Sequence, residues 1–298
     1  MVSEFGGAEQ LRLAEAADPV PGPGQVRVAV HAAGVNPVDA GNRADGSWAG
    51  LAVPFIPGYD ISGVVESLGP GVTGLTAADR VMAMTHFPDG AGGYAELAVV
   101  GAGQVAPISA STSFAAAAAT PLAGGTAQVV LSRLALGKGT RLLVLGASGG
   151  VGLFLLQLAA AAGIETIAVG RRAMHQQMLG LGAAWCIDYT GEDVAQRAVS
   201  LGGGPVDAIA DLVGGQSLAA AIPALRRGGQ IAAIATPELD LDPLLDANIT
   251  FHGVLIGDDG QRSATCCRCP RRRRRIALWR ASMRAGRSCS PWPAKRRS

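Results

Sequence analysis

The sequence predicts an α/β fold in which a β-rich first part is followed by a doubly wound parallel sheet. Short strand-length segments bounded by Gly, Pro and Asp follow one another closely before residue 110. From Arg141 onward, strand-length apolar runs alternate with helix-length segments, as they do in βαβ units. The first of these runs ends in a glycine cluster that leads directly into a helix-length segment. Together these observations predict two parts of different architecture.

The strands of the first part are predicted from alternation and from turn residues. Residues 25–33, QVRVAVHAA, alternate apolar and polar side chains as a half-buried strand does, and the PGPG run at 21–24 predicts the turn before it. Further strands are predicted at 60–68, 79–84 and 93–100. Two helices are predicted at 114–119 and 126–136. We expect Pro121 and the Gly124–Gly125 pair to separate these helices.

The second part is predicted to be a parallel sheet, because its apolar runs are short and continuous rather than alternating. Its strands are predicted at 142–145, 166–169, 185–187, 208–212 and 231–234, with a further candidate at 249–256. Residues 142–164 carry no charge and are long enough to suggest a membrane-spanning helix. The glycines in the middle of that segment disfavour such a helix and favour a strand, a turn and a helix from residue 153 to 162.

The glycine cluster predicts a binding site for a dinucleotide. A pyrophosphate is an anion, and a helix N-terminus offers it unpaired N–H groups and the positive end of a dipole. Larger side chains would block its approach, so a strand followed by small residues and a helix suits this ligand. The residues that we expect to bind the cofactor here are Gly146, Ala147, Ser148, Gly149, Gly150, Val151 and Gly152. A strand–turn–helix without a ligand is the alternative.

The end of the second predicted strand indicates which nucleotide binds. A carboxylate there would accept the ribose 2′-hydroxyl of NAD. This chain instead has Gly170, Arg171 and Arg172 after Val169. Glycine leaves room for a 2′-phosphate, and a guanidinium can bind that phosphate through two hydrogen bonds. The sequence therefore favours NADPH, with two solvated arginines as the alternative.

Charge and cysteine divide the chain near residue 260. The 298 residues include 25 Lys and Arg and 23 Asp and Glu, but 13 of the basic residues and no acidic residue lie in 261–298. The body is therefore acidic, and Cys186 is its one cysteine. The N-terminus shows no signal-peptide pattern, so a cytoplasmic location is the default expectation. We expect Cys186, on a predicted buried strand, to be inert packing.

Several motifs in a fixed order resemble the medium-chain dehydrogenase/reductase superfamily, in its zinc-free quinone oxidoreductase branch. They cover about residues 20–260 and read GPGQVRVAVHAAGVNPVD, PFIPGYDISGVVESLGPGVTG, DRVMAM, GGYAELAVV, ATPLAGGTA, VLGASGGVG, LGAAWCIDYTGED, DLVGG and LRRGGQ. The resemblance implies a GroES-like catalytic domain at 1–120 and a Rossmann domain at 121–260. It also implies hydride transfer from NADPH to a quinone or related conjugated carbonyl in the cleft between them.

The resemblance also bears on metals and site residues. Zinc-dependent relatives have a Cys where this chain has Asn36, and Gly-His-Glu where it has Gly58-Tyr59-Asp60. The four-cysteine lobe that holds a structural zinc in those relatives is also missing. The histidines, at 31, 86, 175 and 252, lack the spacing of a zinc site, so we expect no metal. The resemblance implies Asn36 beside nicotinamide and substrate, with a turn residue before Pro37 as the alternative.

Further roles are implied for a few other side chains. Thr126 would lie at the cofactor edge, and Tyr189 would approach the adenosine phosphate with Arg171. Tyr59 and Asp39 are weaker candidates for the catalytic site. A small quinone or enone is the expected partner, while a membrane and nucleic acid are not expected. The resemblance also implies a possible homodimer through the edge of the Rossmann sheet.

Residues 261–298 depart from the resemblance. They are rich in Arg, Cys, Ser, Pro and Trp, and they show no sustained periodicity. A shift of reading frame in a GC-rich gene would produce this composition, and it is the explanation we favour. The alternatives are a natural basic tail and an arm that binds nucleic-acid phosphates. If the family's closing segment is absent, the chain is a catalytically impaired nucleotide-binding remnant, which is the alternative function.

Overall fold

The computed structural model describes residues 1–88 and 90–257, together with the backbone of a short strand at Ser290–Pro291. These residues form two compact units, one of Met1–Gly125 with Ile256 and the other of Thr126–Leu255. Each unit has a hydrophobic core of its own. The predictions made for 261–298 lie outside the described residues, apart from that one short strand.

Strands and helices account for most of both units. In chain order the strands are β1 (Gln25–Gly34), β2 (Asp60–Leu68), β3 (Arg80–Met84), β4 (Leu97–Gly101), β5 (Val105–Pro107), β6 (Arg141–Leu145), β7 (Glu165–Val169), β8 (Trp185–Ile187), β9 (Val206–Asp211), β10 (Leu225–Ala233), β11 (Thr250–Gly253) and β12 (Ser290–Pro291). The α-helices are α1 (Pro37–Ala44), α2 (Phe114–Ala118), α3 (Pro121–Leu134), α4 (Gly150–Ala162), α5 (His175–Gly180), α6 (Val194–Gly202), α7 (Ser217–Ala221) and α8 (Asp242–Asp246). Single turns of 3₁₀-helix lie at Ala8–Gln10, Ser47–Ala49, Ala102–Gln104, Arg172–Met174 and Ile222–Ala224.

The first unit is built on an antiparallel sheet in which β1 pairs with β2, β4 and β12. The half-buried strand predicted from the alternation in β1 is confirmed, because Val26 and Val28 are fully buried and pack against apolar residues of β2 and β3. The strand predicted at 93–100 is wrong at its start. Gly93 and Tyr94 donate their N–H groups to the carbonyls of Gly58 and Pro57 instead of joining the ladder.

The two predicted helices are separate, but the break between them lies at Ala119 and Thr120, directly before Pro121, and not at residues 121–125. Helix α3 begins at Pro121 and continues through Gly124 and Gly125 to Leu134. Proline is tolerated in the first turn because its missing N–H would have no partner within the helix. Both glycines are buried, so tertiary packing outweighs their low helix propensity.

The second unit is a parallel sheet with the strand order β11-β10-β9-β6-β7-β8. The chain moves outward from β6 through β7 to β8, and then returns to the other side of β6 for β9 to β11. This is the doubly wound order, with the switch in direction between β6 and β9. The predicted α/β class, with a β-rich first part and a Rossmann-type sheet, is confirmed.

Some strands and helices of the second unit begin or end at residues other than those predicted. Strand β10 begins at Leu225 rather than 231, because an irregularity between Leu225 and Gln230 lets it pair earlier with β9. Strand β11 ends at Gly253, and α4 begins at Gly150 rather than 153. Residues 142–164 thus form a strand, a turn and a helix. Among the described residues, no helix has the length and apolarity needed to cross a membrane.

Candidate functional site

The glycine turn joins β6 to α4 at the carboxyl edge of the parallel sheet. Gly146 has a φ of +75°, a conformation that other residues rarely adopt, and the N–H of Gly149 closes the turn on the Gly146 carbonyl at 3.0 Å. Ala147 is tied to the neighbouring strand by a 3.1 Å bond from its N–H to the Val169 carbonyl. Gly149 is the N-cap of α4, so the positive end of that helix lies at this edge.

The small residues of the turn serve two different purposes. A Cβ on Gly152 would lie 2.5 Å from the Ala147 carbonyl oxygen, so glycine is needed for α4 to approach the turn. Gly149 is exposed, and a Cβ there would meet only the Gly146 carbonyl oxygen, at 3.3 Å. Glycine at 152 therefore satisfies packing, whereas glycine at 149 keeps the outer surface of the turn bare.

The residues after β7 lie beside this turn. A Cβ on Gly170 would lie 3.3 Å from the Ser148 hydroxyl and 3.0 Å from the methyl group of Met178. The next residue, Arg171, is exposed and donates from Nε to the Tyr189 hydroxyl at 3.0 Å. That hydrogen bond raises the pKa of the guanidinium. The structure thus brings together Ser148, Gly170, Arg171 and Tyr189, which were selected from separate parts of the sequence.

The two predicted arginines have different surroundings. Arg172 lies 3.8 Å from a carboxylate oxygen of Asp188, and its side chain is 82% exposed. Asp188 also accepts bonds from the N–H and hydroxyl of Thr190, and these bonds, with a smaller effect from Arg172, lower its pKa. Arg172 therefore lies against a carboxylate, whereas Arg171 contacts the Tyr189 hydroxyl and is affected by Asp188 only as the smallest of the influences on its pKa. Arg171 is better placed to bind an anion.

Asn36 occupies a buried position where β1 gives way to α1. Its backbone N–H donates to Asp39 Oδ2 at 2.7 Å, and its side-chain Nδ2 donates to Asp60 Oδ2 at 2.9 Å. The other oxygen of Asp60 accepts the Leu122 N–H at 2.8 Å, at the N-terminus of α3. Asp60 is itself buried. A buried carboxylate thus joins the start of α3 to the side-chain amide of Asn36, and Asn36 is the N-cap of α1.

Sequence reasoning did not identify Asp60 as a site residue. The signal that could have found it is a carboxylate at the head of a strand whose first four residues are all buried. A buried charge requires partners, and a helix N-terminus is one of the environments that stabilise it. Asp39, a weaker candidate, has a comparable role, because it accepts hydrogen bonds from Asn36 and from the Tyr94 hydroxyl.

Tyr59 lies in the interior of the first unit. Its hydroxyl accepts a bond from Asn42 Nδ2 at 2.6 Å and donates to the Pro88 carbonyl at 2.8 Å. Its ring packs edge-on against Phe87, with centroids 4.9 Å apart. These contacts stabilise the fold around α1, and full burial keeps the Tyr59 side chain away from solvent. Its predicted contact with substrate stays a prediction.

The other candidate residues are described one by one. Thr126 is buried within α3 and belongs to the second unit. Cys186 is half-buried, and burial raises its pKa to about 11, which makes its thiolate scarce at neutral pH. His175 and His252 contact the Gly170 carbonyl and the Gln230 side chain. Within 1–88 and 90–257, no three side chains of His, Cys, Asp or Glu gather as metal ligands would.

Comparison with known proteins identifies the family. The profile of the alcohol dehydrogenase GroES-like domain matches residues 22–110, and that of the zinc-binding dehydrogenase matches residues 150–266. A quinone oxidoreductase of Rattus norvegicus is 33% identical over 237 residues, which are 78% of this chain and 71% of that protein. The chain belongs to the medium-chain dehydrogenase/reductase superfamily, in its quinone oxidoreductase-like branch.

Solved structures agree with this assignment. A quinone oxidoreductase of Pseudomonas syringae superposes with a TM-score of 0.81 at 28% identity, covering 89% of this chain and 84% of that one. A mycobacterial protein solved in complex with NADPH gives a TM-score of 0.80 at 28% identity, covering 89% and 86%. The protein is therefore an oxidoreductase of the medium-chain dehydrogenase/reductase superfamily.

Proposed function

We propose that this medium-chain dehydrogenase/reductase transfers a hydride from NADPH to a quinone or related conjugated carbonyl and that it does so without zinc. The observation that carries the proposal is Arg171, held by Tyr189 beside Gly170 at the edge of the glycine turn. An exposed guanidinium at the end of the second strand of the Rossmann sheet suits a ribose 2′-phosphate. A related mycobacterial structure holds NADPH, and similar curated proteins are quinone oxidoreductases.

The residues present fit a bound dinucleotide. The exposed surface of Gly149 offers the pyrophosphate a bare approach to the first turn of α4. Gly170 and Ser148 lie together at the end of the second Rossmann strand, and we propose that the adenosine ribose would bind there. NADPH, when bound, supplies the hydride. In the proposed site the turn holds the pyrophosphate, and Arg171 holds the 2′-phosphate.

The contribution of the first unit is proposed to come from Asn36. Its side-chain amide donates one hydrogen bond to a buried carboxylate, so its orientation is set before a substrate arrives. We infer that this amide orients a substrate carbonyl by hydrogen bonding. A quinone or enone is already electron-poor and therefore needs less polarisation than an alcohol would.

Zinc independence is proposed from residue chemistry. Asn36 and Tyr59 are poor zinc ligands compared with the Cys and His of zinc-dependent relatives. Both side chains also have hydrogen-bonding partners, Asn36 in Asp60 and Tyr59 in Asn42 and Pro88. One matching family profile bears a zinc-binding name, so activity after metal removal is the decisive measurement.

The experiment is a steady-state assay that follows NADPH absorbance with a panel of quinones, enones and simple alcohols, before and after dialysis against a chelator. We expect turnover with quinones or enones that the chelator leaves unchanged. Tight NADPH binding without turnover would instead support the alternative of an impaired remnant. Loss of turnover on chelation, with recovery on adding zinc, would contradict zinc independence.

A further inference from the structure

Tyr94 is a half-buried side chain that has no role in the function proposed above. Its hydroxyl donates to Asp39 Oδ2 at 3.0 Å, although the two residues are 55 positions apart in the chain. The same carboxylate oxygen accepts the backbone N–H of Asn36 at 2.7 Å. Burial, together with the negative charge of Asp39, raises the pKa of the phenol, so its hydroxyl stays protonated and remains a donor at neutral pH. Tyr94 is thus linked to the N-cap of α1 through one shared oxygen atom.

The ring and backbone of Tyr94 are attached to the segment that leads into β2. The Tyr94 N–H donates to the Pro57 carbonyl at 2.9 Å. The ring lies against Gly58, where a Cβ would come within 2.6 Å of Tyr94 Cε1. Gly58 also has a φ of +98°, so both its conformation and the neighbouring ring require glycine at this position. The path of the chain two residues before Asp60 is therefore fitted to Tyr94.

These contacts place Tyr94 between the two acceptors that orient Asn36. Asp39 holds the backbone N–H of Asn36, and Asp60 holds its side-chain Nδ2. Asp39 belongs to α1, whereas Asp60 begins β2. Tyr94 contacts the first acceptor directly through its hydroxyl and the second through the adjoining Gly58. One residue therefore ties together both supports of the candidate catalytic amide.

We propose that Tyr94 is a positioning residue for the Asn36 amide during hydride transfer to a quinone or enone. Its hydroxyl fixes the carboxylate of Asp39, and its ring fixes the chain before Asp60. The Asn36 amide is thereby directed before a substrate carbonyl arrives, which lowers the cost of reaching the reactive geometry. The inference rests on the proposed function and adds to it a residue that acts through Asn36.

The test separates the hydroxyl of Tyr94 from its ring. Tyr94→Phe keeps the ring against Gly58 but removes one donor to Asp39 Oδ2. We expect kcat for a quinone or enone to fall roughly fivefold, because a slightly misplaced orienting group slows the chemical step, while the KM for NADPH stays unchanged. Tyr94→Leu loses the ring as well and should lower kcat further. Steady-state kinetics of the full-length chain measure both values, and thermal unfolding is recorded for each variant.

A matched control removes a buried hydroxyl that has no link to Asn36. Ser62 is fully buried on β2, and its hydroxyl donates to the Phe114 carbonyl at 2.5 Å. Ser62→Ala should therefore lower the unfolding temperature, as the loss of a buried hydrogen bond does, and leave kcat unchanged.

A double-mutant cycle tests the route through Asn36. Asn36→Ala alone should lower kcat. When Tyr94→Phe is added to Asn36→Ala, we expect no further loss, because the amide that Tyr94 positions is already absent. An effect of Tyr94 on folding alone would instead add to that of Asn36→Ala.

The outcomes that would overturn the positioning role are distinct from failure of the proposed function. An unchanged kcat in Tyr94→Phe, an equal loss in Ser62→Ala, or additive losses in the double variant would each overturn the role of Tyr94 while the reductase activity stands. If the unmodified chain reduced none of the quinones or enones, the proposed function itself would fail, and this inference with it.

Discussion

The side-chain amide of Asn36 donates to Asp60 Oδ2 at 2.9 Å, and both residues are buried. Because a carboxylate only accepts hydrogen bonds, the amide nitrogen of Asn36 must face Asp60. The second oxygen of Asp60 is occupied by the N-terminus of α3. The orientation of the candidate catalytic amide is therefore coupled to the position of that helix.

This coupling predicts that Asp60→Asn impairs catalysis more than cofactor binding. The Asn36 amide and the Leu122 N–H bond to different oxygens of Asp60, and an asparagine presents an NH₂ group in place of one of them, so one donor loses its acceptor. We expect kcat/KM for the quinone to fall roughly tenfold, because losing one buried hydrogen bond costs about 1.4 kcal/mol. Steady-state kinetics and NADPH titration measure the two effects. Asp79→Asn, at an exposed turn, is the control.

The contrasting result is also informative. If Asp60→Asn weakened NADPH binding as much as it slowed turnover, Asp60 would act on the fold as a whole and not on the orientation of Asn36. If Asp60→Asn gave the same kcat/KM as Asp79→Asn, the Asn36 amide would take no part in the reaction. Recording thermal unfolding alongside separates a loss of stability from a loss of catalysis.

Arg171 and Arg172 are predicted to contribute unequally to cofactor choice. Arg171→Glu places a negative charge where the 2′-phosphate should bind, so the KM for NADPH should rise roughly tenfold or more while the KM for NADH stays unchanged. Arg172→Glu should have a smaller effect, since Arg172 already faces Asp188. Similar increases in KM for both cofactors, or a larger effect at Arg172, would contradict this assignment.

Tyr189 should act on NADPH through Arg171. Tyr189→Phe removes the hydroxyl that receives the Arg171 Nε–H but keeps the ring. The KM for NADPH should rise by about threefold, less than for Arg171→Glu, because only the orientation of the guanidinium is released. In the double variant, Tyr189→Phe should add nothing to Arg171→Glu. Independent, additive effects in this double-mutant cycle would show that the two residues do not act together.

The sequence predicted most of this architecture because its signals are local. The alternation of β1 and the strand–glycine–helix pattern after Arg141 each depend on residues adjacent in the chain. The break predicted at Gly124–Gly125 failed because burial within α3, a long-range effect, outweighed propensity. Local reasoning had no means of finding this packing.

The same distinction applies to the candidate site. Gly170 and Arg171 could be selected because the end of a second Rossmann strand has a known relation to the glycine turn. Asp60 and Tyr94 could not be assigned partners, because their hydrogen bonds reach the Leu122 N–H across 62 residues in one case and Asp39 across 55 residues in the other. Contacts of this kind become visible only when the strands are assembled.

Tyr94 is predicted to limit stability in alkali. Burial, followed by the negative charge of Asp39, raises the pKa of its phenol, which ordinarily titrates near 10. Above pH 10 the unfolded chain ionises Tyr94 while the folded chain keeps it protonated. The free energy of unfolding is therefore unaffected by this group below pH 10 and decreases as the pH rises above it. Tyr94→Phe should therefore flatten the alkaline limb of stability measured by urea unfolding. An identical alkaline limb in both proteins would contradict the prediction.

The glycine turn offers a test that separates folding from binding. Gly152→Ala places a methyl group 2.5 Å from the Ala147 oxygen and should destabilise the fold by about 1–3 kcal/mol, as overpacking does. Gly149→Ala has more space and should leave stability nearly unchanged, yet its methyl group would lie on the bare surface that approaches the pyrophosphate. We expect urea unfolding to respond mainly to the first change and NADPH titration mainly to the second. If Gly149→Ala bound NADPH as tightly as the unmodified chain, the pyrophosphate would not bind at this turn.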